Sequence, residues 1–308
     1  MSFASQYQEL KPAIVAIVSR ISRRPDMPDI IGTGFIVRED GLIVTNDHVV
    51  NAIKKLPRRK DAPDDEWPIQ VMYLQNIPDK GMANVCFEVE GVGTLTREEP
   101  VEGAYYGADV PDVGFIFVKV KGLPVLELES SFNLNEGDEV FMAGFPMGTE
   151  TLRAPGWVHQ INPVLQRGIV SAIQPFPCSH PHGLLIDAMV QGGSSGSPIF
   201  NPETGKVAAL LYGGLVESRT IPISADVALP YTFDTSLTLS IPAYIINDLL
   251  QKELYDRKTG EVDQRDTSKY PTLEEMFATQ EMKVREPKNA SPDAQAVSPE
   301  DIIFPPGS

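Results

Sequence analysis

One short loop of the sequence has the residue types of a nucleophile site. Residues 191–198 read Gln-Gly-Gly-Ser-Ser-Gly-Ser-Pro and lie between apolar runs at 184–190 and 199–200. Glycines let a backbone bend sharply and turn consecutive N–H groups toward one point, and a serine on such a bend can be presented to a substrate. The loop therefore fits a serine nucleophile beside an oxyanion hole. On composition alone, a flexible turn of glycine and serine fits equally well.

A serine nucleophile needs a base that accepts its proton and a carboxylate that orients the base. The sequence holds four histidines, at positions 48, 159, 180 and 182. His48 follows a strand-like run and opens a predicted turn of helix, which would fix its backbone. The other three histidines lie among prolines in predicted loops. His48 is therefore the favoured base.

Asp112 is the favoured carboxylate because it directly precedes the apolar run at 113–118. A charged group at the entry to a buried strand is costly unless it is hydrogen-bonded, and a histidine N–H would supply that bond. A solvated turn aspartate after Pro111 is the alternative interpretation. Asp109, three residues earlier, is the nearest competitor for the same role.

Short apolar, β-branched runs separated by glycine and proline turns must position these side chains. They occur at residues 13–18, 30–37, 42–45, 69–74, 85–89, 113–120, 139–144, 165–173, 184–190, 207–212 and 237–241. No regular alternation with long helical patterns precedes residue 240, so the pattern predicts an all-β barrel or sandwich rather than βαβ units. A short C-terminal helix is predicted over 240–254, where Ile245, Ile246, Leu249 and Leu250 fall on one face.

Composition excludes several classes of function. The formal net charge of −16 argues against a nucleic-acid partner, because phosphate binding needs a basic patch. No apolar run approaches the length of about 18 to 20 residues that a membrane-spanning helix requires. Residues 1–11 lack a secretory signal pattern, and the two cysteines, Cys86 and Cys178, are expected to be buried thiols. These features predict a cytoplasmic protein.

Several blocks of the sequence together resemble the chymotrypsin-fold serine proteases, most closely the HtrA (Deg) branch. The resemblance covers about residues 10 to 252 and rests on Thr-Asn-Asp-His-Val-Val at 45–50, Asp-Val-Gly-Phe at 112–115, Val-Phe-Met-Ala-Gly-Phe-Pro-Met-Gly at 140–148, Gly-Ile-Val-Ser-Ala at 168–172 and Gly-Ser-Ser-Gly-Ser-Pro at 193–198. These blocks occur in the order found in that family, which is far more specific than any one of them.

The resemblance implies an all-β fold of two perpendicular six-stranded barrels with the active site between them. It assigns Ser195 as nucleophile, His48 as general base and Asp112 as the group that orients the imidazole. The backbone N–H groups of Gly193 and Ser195 would form the oxyanion hole. The implied reaction is peptide hydrolysis on a polypeptide substrate through an acyl-enzyme, and it needs no metal or organic cofactor.

The resemblance also divides the chain and places a substrate pocket. A trypsin-like domain is expected over residues 1–252, followed by a charged acidic tail over 253–308 that is mostly extended or disordered. No PDZ-like domain is recognised after residue 252, and an oligomer is possible. The residues expected to line the pocket for the P1 side chain are Met189, Val190, Leu211, Tyr212 and Gly213, which favour an uncharged, small or medium aliphatic side chain.

The loop departs from the family at two positions. Ser194 stands where secreted trypsin-like enzymes carry an aspartate that pairs with a new N-terminus, so activation by N-terminal insertion is not expected. Ser197 replaces the usual second glycine, and it would be strained if the loop required a positive φ there. Two other functions remain open: a catalytically silent relative that binds polypeptides in the same cleft, and a non-proteolytic esterase.

Overall fold

Two closed β-barrels of six antiparallel strands each form the body of the protein. The computed structural model describes residues 3–21, 29–77, 81–94, 111–148, 161–175, 180–223, 228–253, 265–279 and 302–303. The all-β prediction with two six-stranded barrels is confirmed. Among the described residues the helices are few and short, and none is long and apolar enough to cross a membrane.

The first barrel closes in the order β1-β2-β3-β7-β6-β5. Its strands are β1 (Ile14–Ser19), β2 (Asp29–Arg38), β3 (Leu42–Thr45), β5 (Ile69–Ile77), β6 (Gly81–Thr94) and β7 (Gly114–Val118). A short helix, α2 (Asp47–Lys54), follows β3, and the two-residue strand β4 (Arg58–Arg59) lies between α2 and β5. The first barrel therefore carries both His48, on α2, and Asp112, at the entry to β7.

The second barrel closes in the order β10-β13-β12-β11-β8-β9. Its strands are β8 (Glu139–Gly144), β9 (Val164–Gln174), β10 (Gly183–Asp187), β11 (Pro198–Phe200), β12 (Val207–Pro222) and β13 (Ala228–Pro242). The helix α3 (Ala243–Glu253) follows β13 directly. The nucleophile loop precedes β11, so Ser195 belongs to the second barrel.

An N-terminal helix connects the two barrels. The helix α1 (Phe3–Leu10) leads into β1 of the first barrel, yet its buried Phe3 packs on the second. The Phe3 ring stacks on Phe141 of β8 with centroids 4.5 Å apart and approaches Phe200 of β11 at 5.7 Å. Aromatic packing of this kind holds the two barrels, and thus the two halves of the site, in one arrangement.

Strand alternation places Cys86 on the surface, contrary to the expectation of a buried thiol. In β6, Val85, Phe87 and Val89 face the barrel interior and are buried, so the residues between them must face outward. Cys86 is accordingly an exposed free thiol. Cys178 lies outside the described residues.

Part of the tail, which composition predicts to be mostly extended or disordered, is folded against the first barrel. The helix α4 (Leu273–Thr279) buries Leu273 in the core, and the Leu273 N–H donates to the Lys121 carbonyl at 2.9 Å. The strand β14 (Ile302–Ile303) pairs antiparallel with β4. Few apolar residues suffice here because Arg265 supplies additional contacts.

The Arg265 side chain is only 12% exposed and lies among groups of the first barrel. Its guanidinium stacks over the Phe117 ring at 4.1 Å from the centroid. Its nitrogens lie 3.4 Å from a carboxylate oxygen of Asp40 and 3.7 Å from one of Glu90. A largely buried guanidinium between two carboxylates and a ring fixes this part of the tail to the barrel.

Arg265→Ala is expected to lower the free energy of unfolding by about 2 kcal/mol, because it removes the cation–π contact and leaves two partly buried carboxylates without this counter-charge. Chemical denaturation monitored by tryptophan fluorescence measures the change. Lys269→Ala is the matched control, since Lys269 pairs with Asp266 on the solvent side and should change stability by less than about 0.5 kcal/mol. Equal stability of both variants would contradict the assigned role of Arg265.

Candidate active site

His48 is held by both oxygens of the Asp112 carboxylate group. The His48 Nδ1 lies 2.6 Å from Asp112 Oδ2, and the backbone N–H of His48 donates to Asp112 Oδ1 at 2.9 Å. The Asp112 side chain is 25% exposed and that of His48 is 48% exposed. One oxygen thus fixes the backbone at His48 while the other fixes the ring, and the ring nitrogen Nε2 is left for a second partner.

Contacts between the end of β3 and the start of β7 hold His48 and Asp112 in place. Asn46, at the N-terminus of α2, donates from Nδ2 to the Asp112 carbonyl at 2.9 Å. A Cβ added at Gly114 would lie only 2.8 Å from the Asn46 carbonyl oxygen, so the end of β3 and the start of β7 approach as closely as backbones can. A glycine at position 114 is therefore needed for Asp112 to reach the helix that carries His48.

The nucleophile loop makes two bends that require glycine. Gly193 has a φ of +95° and Gly196 a φ of +88°. A Cβ at Gly193 would lie 2.4 Å from the Phe145 carbonyl oxygen, and one at Gly196 would lie 2.0 Å from the Thr33 carbonyl oxygen. Both the conformation and the close approach exclude any larger residue. The loop is thus a fixed turn rather than a flexible one.

Thr33 of β2 holds this loop from the first barrel, and the sequence reasoning missed it. It is fully buried, and its N–H donates to the Ser195 carbonyl at 2.8 Å. Its hydroxyl donates to the Gly193 carbonyl at 2.7 Å and accepts the Phe145 N–H at 3.1 Å. One residue therefore contacts the carbonyl groups of both Gly193 and Ser195. The only signal for it in the sequence is its place in the Gly-Thr-Gly-Phe segment at 32–35.

The peptide groups around Ser195 are fixed at both ends. The Ser194 N–H donates to the Gln191 carbonyl at 3.0 Å, and the Gly196 N–H donates to the Leu211 carbonyl at 3.0 Å. Within the part of the chain that the structure describes, no hydrogen bond takes the N–H of Gly193 or of Ser195 to another protein group. These are the two donors that the family resemblance assigns to the oxyanion hole.

Ser197 is not strained, contrary to the concern raised by its replacing a glycine. Among the described residues, Met147 is the non-glycine residue with a positive φ. The buried Ser197 hydroxyl donates to the Ser194 carbonyl at 2.6 Å. A Cβ at Gly144 would lie 1.9 Å from this hydroxyl oxygen, so the space for the Ser197 side chain comes from a glycine on β8. Ser197 therefore closes the turn instead of weakening it.

Gly32 lies between the two halves of the site. A Cβ at Gly32 would lie 3.0 Å from a methyl group of Val49 on α2 and 3.5 Å from the Ser195 carbonyl oxygen. Val49, the residue after His48, and the backbone of Ser195 thus flank a single residue of β2.

The other candidate histidines lie elsewhere. His180 and His182 lie at the entry to β10, where the His180 ring approaches that of Tyr244 at 6.4 Å. His159 and Asp109 lie outside the described residues.

The five residues predicted to line the substrate pocket fall into two groups. Met189 is exposed, and a Cβ at Gly213 would meet no atom within 4 Å, so both border open space. Val190 is buried and lies beside β12, since a Cβ added at Gly214 of that strand would be 3.9 Å from the Cβ of Val190. Leu211 does not fit the prediction, whereas the place of Tyr212 in the pocket stays a prediction.

Leu211 is fully buried in the core of the second barrel, so its side chain does not reach the cleft. Tyr212 is half-buried and packs against the larger hydrophobic core, which includes the interior of the first barrel. Burial, and secondarily the negative charge of Asp112, raise the pKa of the Tyr212 hydroxyl. Successive side chains of a strand point to opposite faces, so Leu211 and Tyr212 could not both line one pocket.

Comparison with protein families supports the assignment that this geometry suggests. The sequence profile of the family described as "Trypsin-like peptidase domain" matches residues 32–210, more than half of the chain. This chain belongs to the trypsin-like peptidase family. Peptidases of this family act on polypeptides, and the matched range includes His48, Asp112 and Ser195. The resemblance seen in the sequence blocks is thereby confirmed.

Curated relatives of this trypsin-like peptidase are HtrA and DegP proteins. A "Probable periplasmic serine endoprotease DegP-like" from Halomonas elongata is 26% identical over 208 residues, which cover 64% of this chain and 34% of that protein. "Serine protease HTRA1" from Xenopus laevis is 26% identical over 241 residues, or 75% of this chain and 40% of that protein. The peptidase thus spans little more than a third of the length of these relatives.

These names overturn the predicted cytoplasmic location. The relatives from Halomonas elongata, Ectopseudomonas mendocina and Pseudomonas fulva are all named periplasmic endoproteases. The start of a sequence does not report the compartment, because exported proteins in general lose their leader peptides. A low cysteine count is equally compatible with either side of a membrane.

Two solved structures align with most of this chain. The serine endoprotease from Yersinia pestis aligns over 82% of this chain and 66% of its own, with 19% identity and a TM-score of 0.48. A variant of an HtrA-type protease solved with a decapeptide aligns over 85% of this chain and 68% of its own, with 15% identity and a TM-score of 0.49.

Proposed function

We propose that this trypsin-like peptidase is a serine endopeptidase of the cell envelope that cleaves polypeptides with a triad of Ser195, His48 and Asp112. The observation that carries the proposal is the contact of 2.6 Å between His48 Nδ1 and Asp112 Oδ2, beside a rigid loop that presents Ser195. A carboxylate on Nδ1 selects the tautomer in which Nε2 accepts a proton, as a general base requires.

In the proposed reaction, the Ser195 hydroxyl oxygen attacks the peptide carbonyl carbon while its proton passes to His48 Nε2. The carbonyl oxygen gains the negative charge, which the N–H groups of Gly193 and Ser195 stabilise. The His48 imidazolium then donates its proton to the leaving nitrogen, and the C–N bond breaks to leave an acyl-Ser195. Water hydrolyses this ester through the same groups in reverse order.

Labelling with a fluorophosphonate probe tests the function directly. Because the probe forms a bond only with an activated serine, we expect stoichiometric labelling of the native chain, none of Ser195→Ala and little of His48→Ala. Ser197→Ala is a suitable second control, since Ser197 lies in the same loop but its hydroxyl is engaged by Ser194. A folded chain that stays unlabelled would favour the silent polypeptide-binding relative over the peptidase.

The P1 pocket is expected to accept uncharged, small or medium aliphatic side chains, because Met189 presents exposed apolar surface and the buried Val190 beside it carries no charge. Cleavage of a peptide library by the native chain, read by mass spectrometry, measures this preference. We expect Val, Ala, Leu or Met to dominate at P1. A dominant Arg or Lys at P1 would show that the pocket is formed by other residues.

A further inference from the structure

Two exposed methionines lie beside the nucleophile loop. The structure describes the burial of five methionines, namely Met72, Met142, Met147, Met189 and Met276. Met147 is 52% exposed and Met189 is 53% exposed, whereas Met142 is buried. Met72 and Met276 pack against the larger hydrophobic core. A reagent in solution that attacks thioether sulfur would therefore reach Met147 and Met189 before the other three.

Met189 leads into the nucleophile loop, and its sulfur contacts a residue of that loop. The Sδ atom lies 3.9 Å from Nε2 of Gln191, and the carbonyl of Gln191 accepts the Ser194 N–H at 3.0 Å. A thioether is only a weak acceptor, so the side chain acts mainly as apolar surface. Because Met189 belongs to the proposed P1 pocket, the chemical state of its sulfur sets the polarity of that pocket.

Met147 is held in a turn that packs against Gly193. The turn is closed by the Gly148 N–H, which donates to the Phe145 carbonyl at 3.0 Å, and a Cβ at Gly193 would lie 2.8 Å from the Gly148 nitrogen. Met147 has a φ of +61°, in the left-handed region that is strained for a residue with a side chain. This turn keeps the Met147 side chain exposed, next in the chain to the residue that packs on a proposed oxyanion donor.

Peroxides oxidise thioethers without a further co-reactant. The sulfur lone pair attacks one peroxide oxygen, and the S–O bond forms as the O–O bond breaks. With hydrogen peroxide the departing hydroxide takes the proton from the transferred oxygen and becomes water. The sulfur loses two electrons and the peroxide gains them. Hydrogen peroxide is uncharged, so the net charge of −16 does not repel it as it would repel an anionic oxidant.

We propose that Met147 and Met189 form a peroxide-sensitive modification site that controls cleavage after aliphatic residues. This inference rests on the proposed peptidase function. Methionine sulfoxide is polar and carries a strong acceptor oxygen. At Met189 this oxygen would accept from Gln191 Nε2 and replace apolar surface of the P1 pocket, so an aliphatic side chain binds there less well. At Met147 it would place a second polar group beside the turn that packs on Gly193.

Graded treatment with hydrogen peroxide tests the proposal, after alkylation of thiols with iodoacetamide so that the exposed Cys86 does not contribute. Peptide mapping by mass spectrometry should show one oxygen atom added at Met147 and Met189 about tenfold faster than at Met142. In the same samples, kcat/KM for a peptide with valine at P1 should fall about tenfold. Methionine sulfoxide reductases A and B, one for each sulfoxide epimer, should restore kcat/KM as a dithiol removes the oxygen as water.

Leucine variants identify the sulfur atoms that carry the effect. Each variant is compared with itself before and after peroxide, so a change in its starting activity does not enter. Met189→Leu should lose most of the peroxide effect, and Met189→Leu with Met147→Leu should lose all of it. Met276→Leu, on α4 of the tail, is the matched control and should be as sensitive to peroxide as the parent chain.

Each outcome decides the inference. Fluorophosphonate labelling of the parent chain, with kcat/KM unchanged once both methionines are fully oxidised, would overturn the modification site and leave the peptidase standing. Equal sensitivity of the double leucine variant would also overturn it, because another group would then carry the loss. A loss of activity that follows unfolding, measured by circular dichroism, would assign the effect to the core and overturn it as well. Absence of labelling before any oxidation would remove the peptidase and the inference with it.

Discussion

Asp112→Asn is expected to lower kcat/KM by about 10⁴-fold, the size of effect found when the triad carboxylate is replaced by an amide. The reason lies in the use of both carboxylate oxygens. Asp112 Oδ1 accepts the His48 backbone N–H and Oδ2 accepts from Nδ1 of the ring. An asparagine has one oxygen and one NH₂ group, so either the His48 backbone N–H or the ring Nδ1–H must face the NH₂ group, which is itself a donor.

If the amide oxygen stays on the His48 backbone, its NH₂ faces Nδ1 and the ring turns to the tautomer with the proton on Nε2. That tautomer cannot accept the Ser195 proton, so kcat falls. If the amide flips, the backbone N–H at the start of α2 loses its acceptor and the helix carrying His48 shifts. Both alternatives impair the base, while the substrate-binding surfaces are untouched. Steady-state kinetics on a peptide substrate should therefore show the loss mainly in kcat.

Asp47→Asn is the matched control for this variant. Asp47 precedes His48 on α2, and its carboxylate accepts from Asn51 one turn later. The substitution removes one negative charge beside the site without a direct bond to the ring, so activity should stay within about threefold of the parent. Loss of equal size in the two variants would mean that Asp112 acts only through local charge. Asp112→Asn activity within about tenfold of the parent would exclude it from the triad.

The parts of the site that sequence could predict are those whose chemistry is carried by residue type. His48, Asp112 and Ser195 stand in blocks with a recognisable order, and the direct contact of His48 with Asp112 agrees with the pairing expected of them. Glycine at 193 and 196 likewise signals bends that no other residue tolerates, as their φ values bear out. The strands followed from apolar, β-branched runs, because such runs are buried on at least one face.

The parts that sequence could not predict depend on contacts between distant segments. Arg265 reads as one more charge in an acidic tail, yet it stacks on Phe117 and approaches Asp40, 225 positions away along the chain. The family resemblance places Leu211 in the pocket, yet its side chain is buried in the core of the second barrel. Register shifts follow it between Leu211 and Gly213 and between Gly214 and Val216, so strand alternation read from the sequence does not carry through β12. Register shifts of this kind leave no signature in composition.

Thr33 is the strongest example, because a threonine within a strand reads only as a β-former. Its role follows from the two peptide groups that it fixes. The Gly193–Ser194 peptide is bonded at its oxygen by the Thr33 hydroxyl and at its nitrogen by Gln191. The Ser195–Gly196 peptide is bonded at its oxygen by the Thr33 N–H and at its nitrogen by Leu211. Between these fixed planes lies the Ser194–Ser195 peptide, which carries the Ser195 N–H, and the first plane directly follows Gly193, which carries the other N–H that would face an oxyanion.

Thr33→Val is therefore expected to lower kcat by about 100-fold with little change in KM, comparable to the loss of one oxyanion donor. Valine has the shape of threonine and keeps the backbone bond to Ser195, but it leaves the Gly193 carbonyl and the Phe145 N–H without the hydroxyl. The buried, unsatisfied groups should also lower the free energy of unfolding by about 2 kcal/mol. Steady-state kinetics, with urea denaturation in parallel, measures both effects.

Two further measurements separate positioning of the loop from general stability. Thr33→Ser keeps the hydroxyl and should retain kcat within about threefold, even though the lost methyl group costs about 1 kcal/mol of stability. A peptide aldehyde, whose adduct with Ser195 carries the oxyanion, should bind Thr33→Val more weakly in proportion to the loss of kcat, because both depend on the same N–H groups. If Thr33→Val loses stability but binds the aldehyde as tightly as the parent, the hydroxyl supports the fold alone. Weakened aldehyde binding with unchanged KM would instead place the effect in the transition state, where the orientation of Gly193 matters.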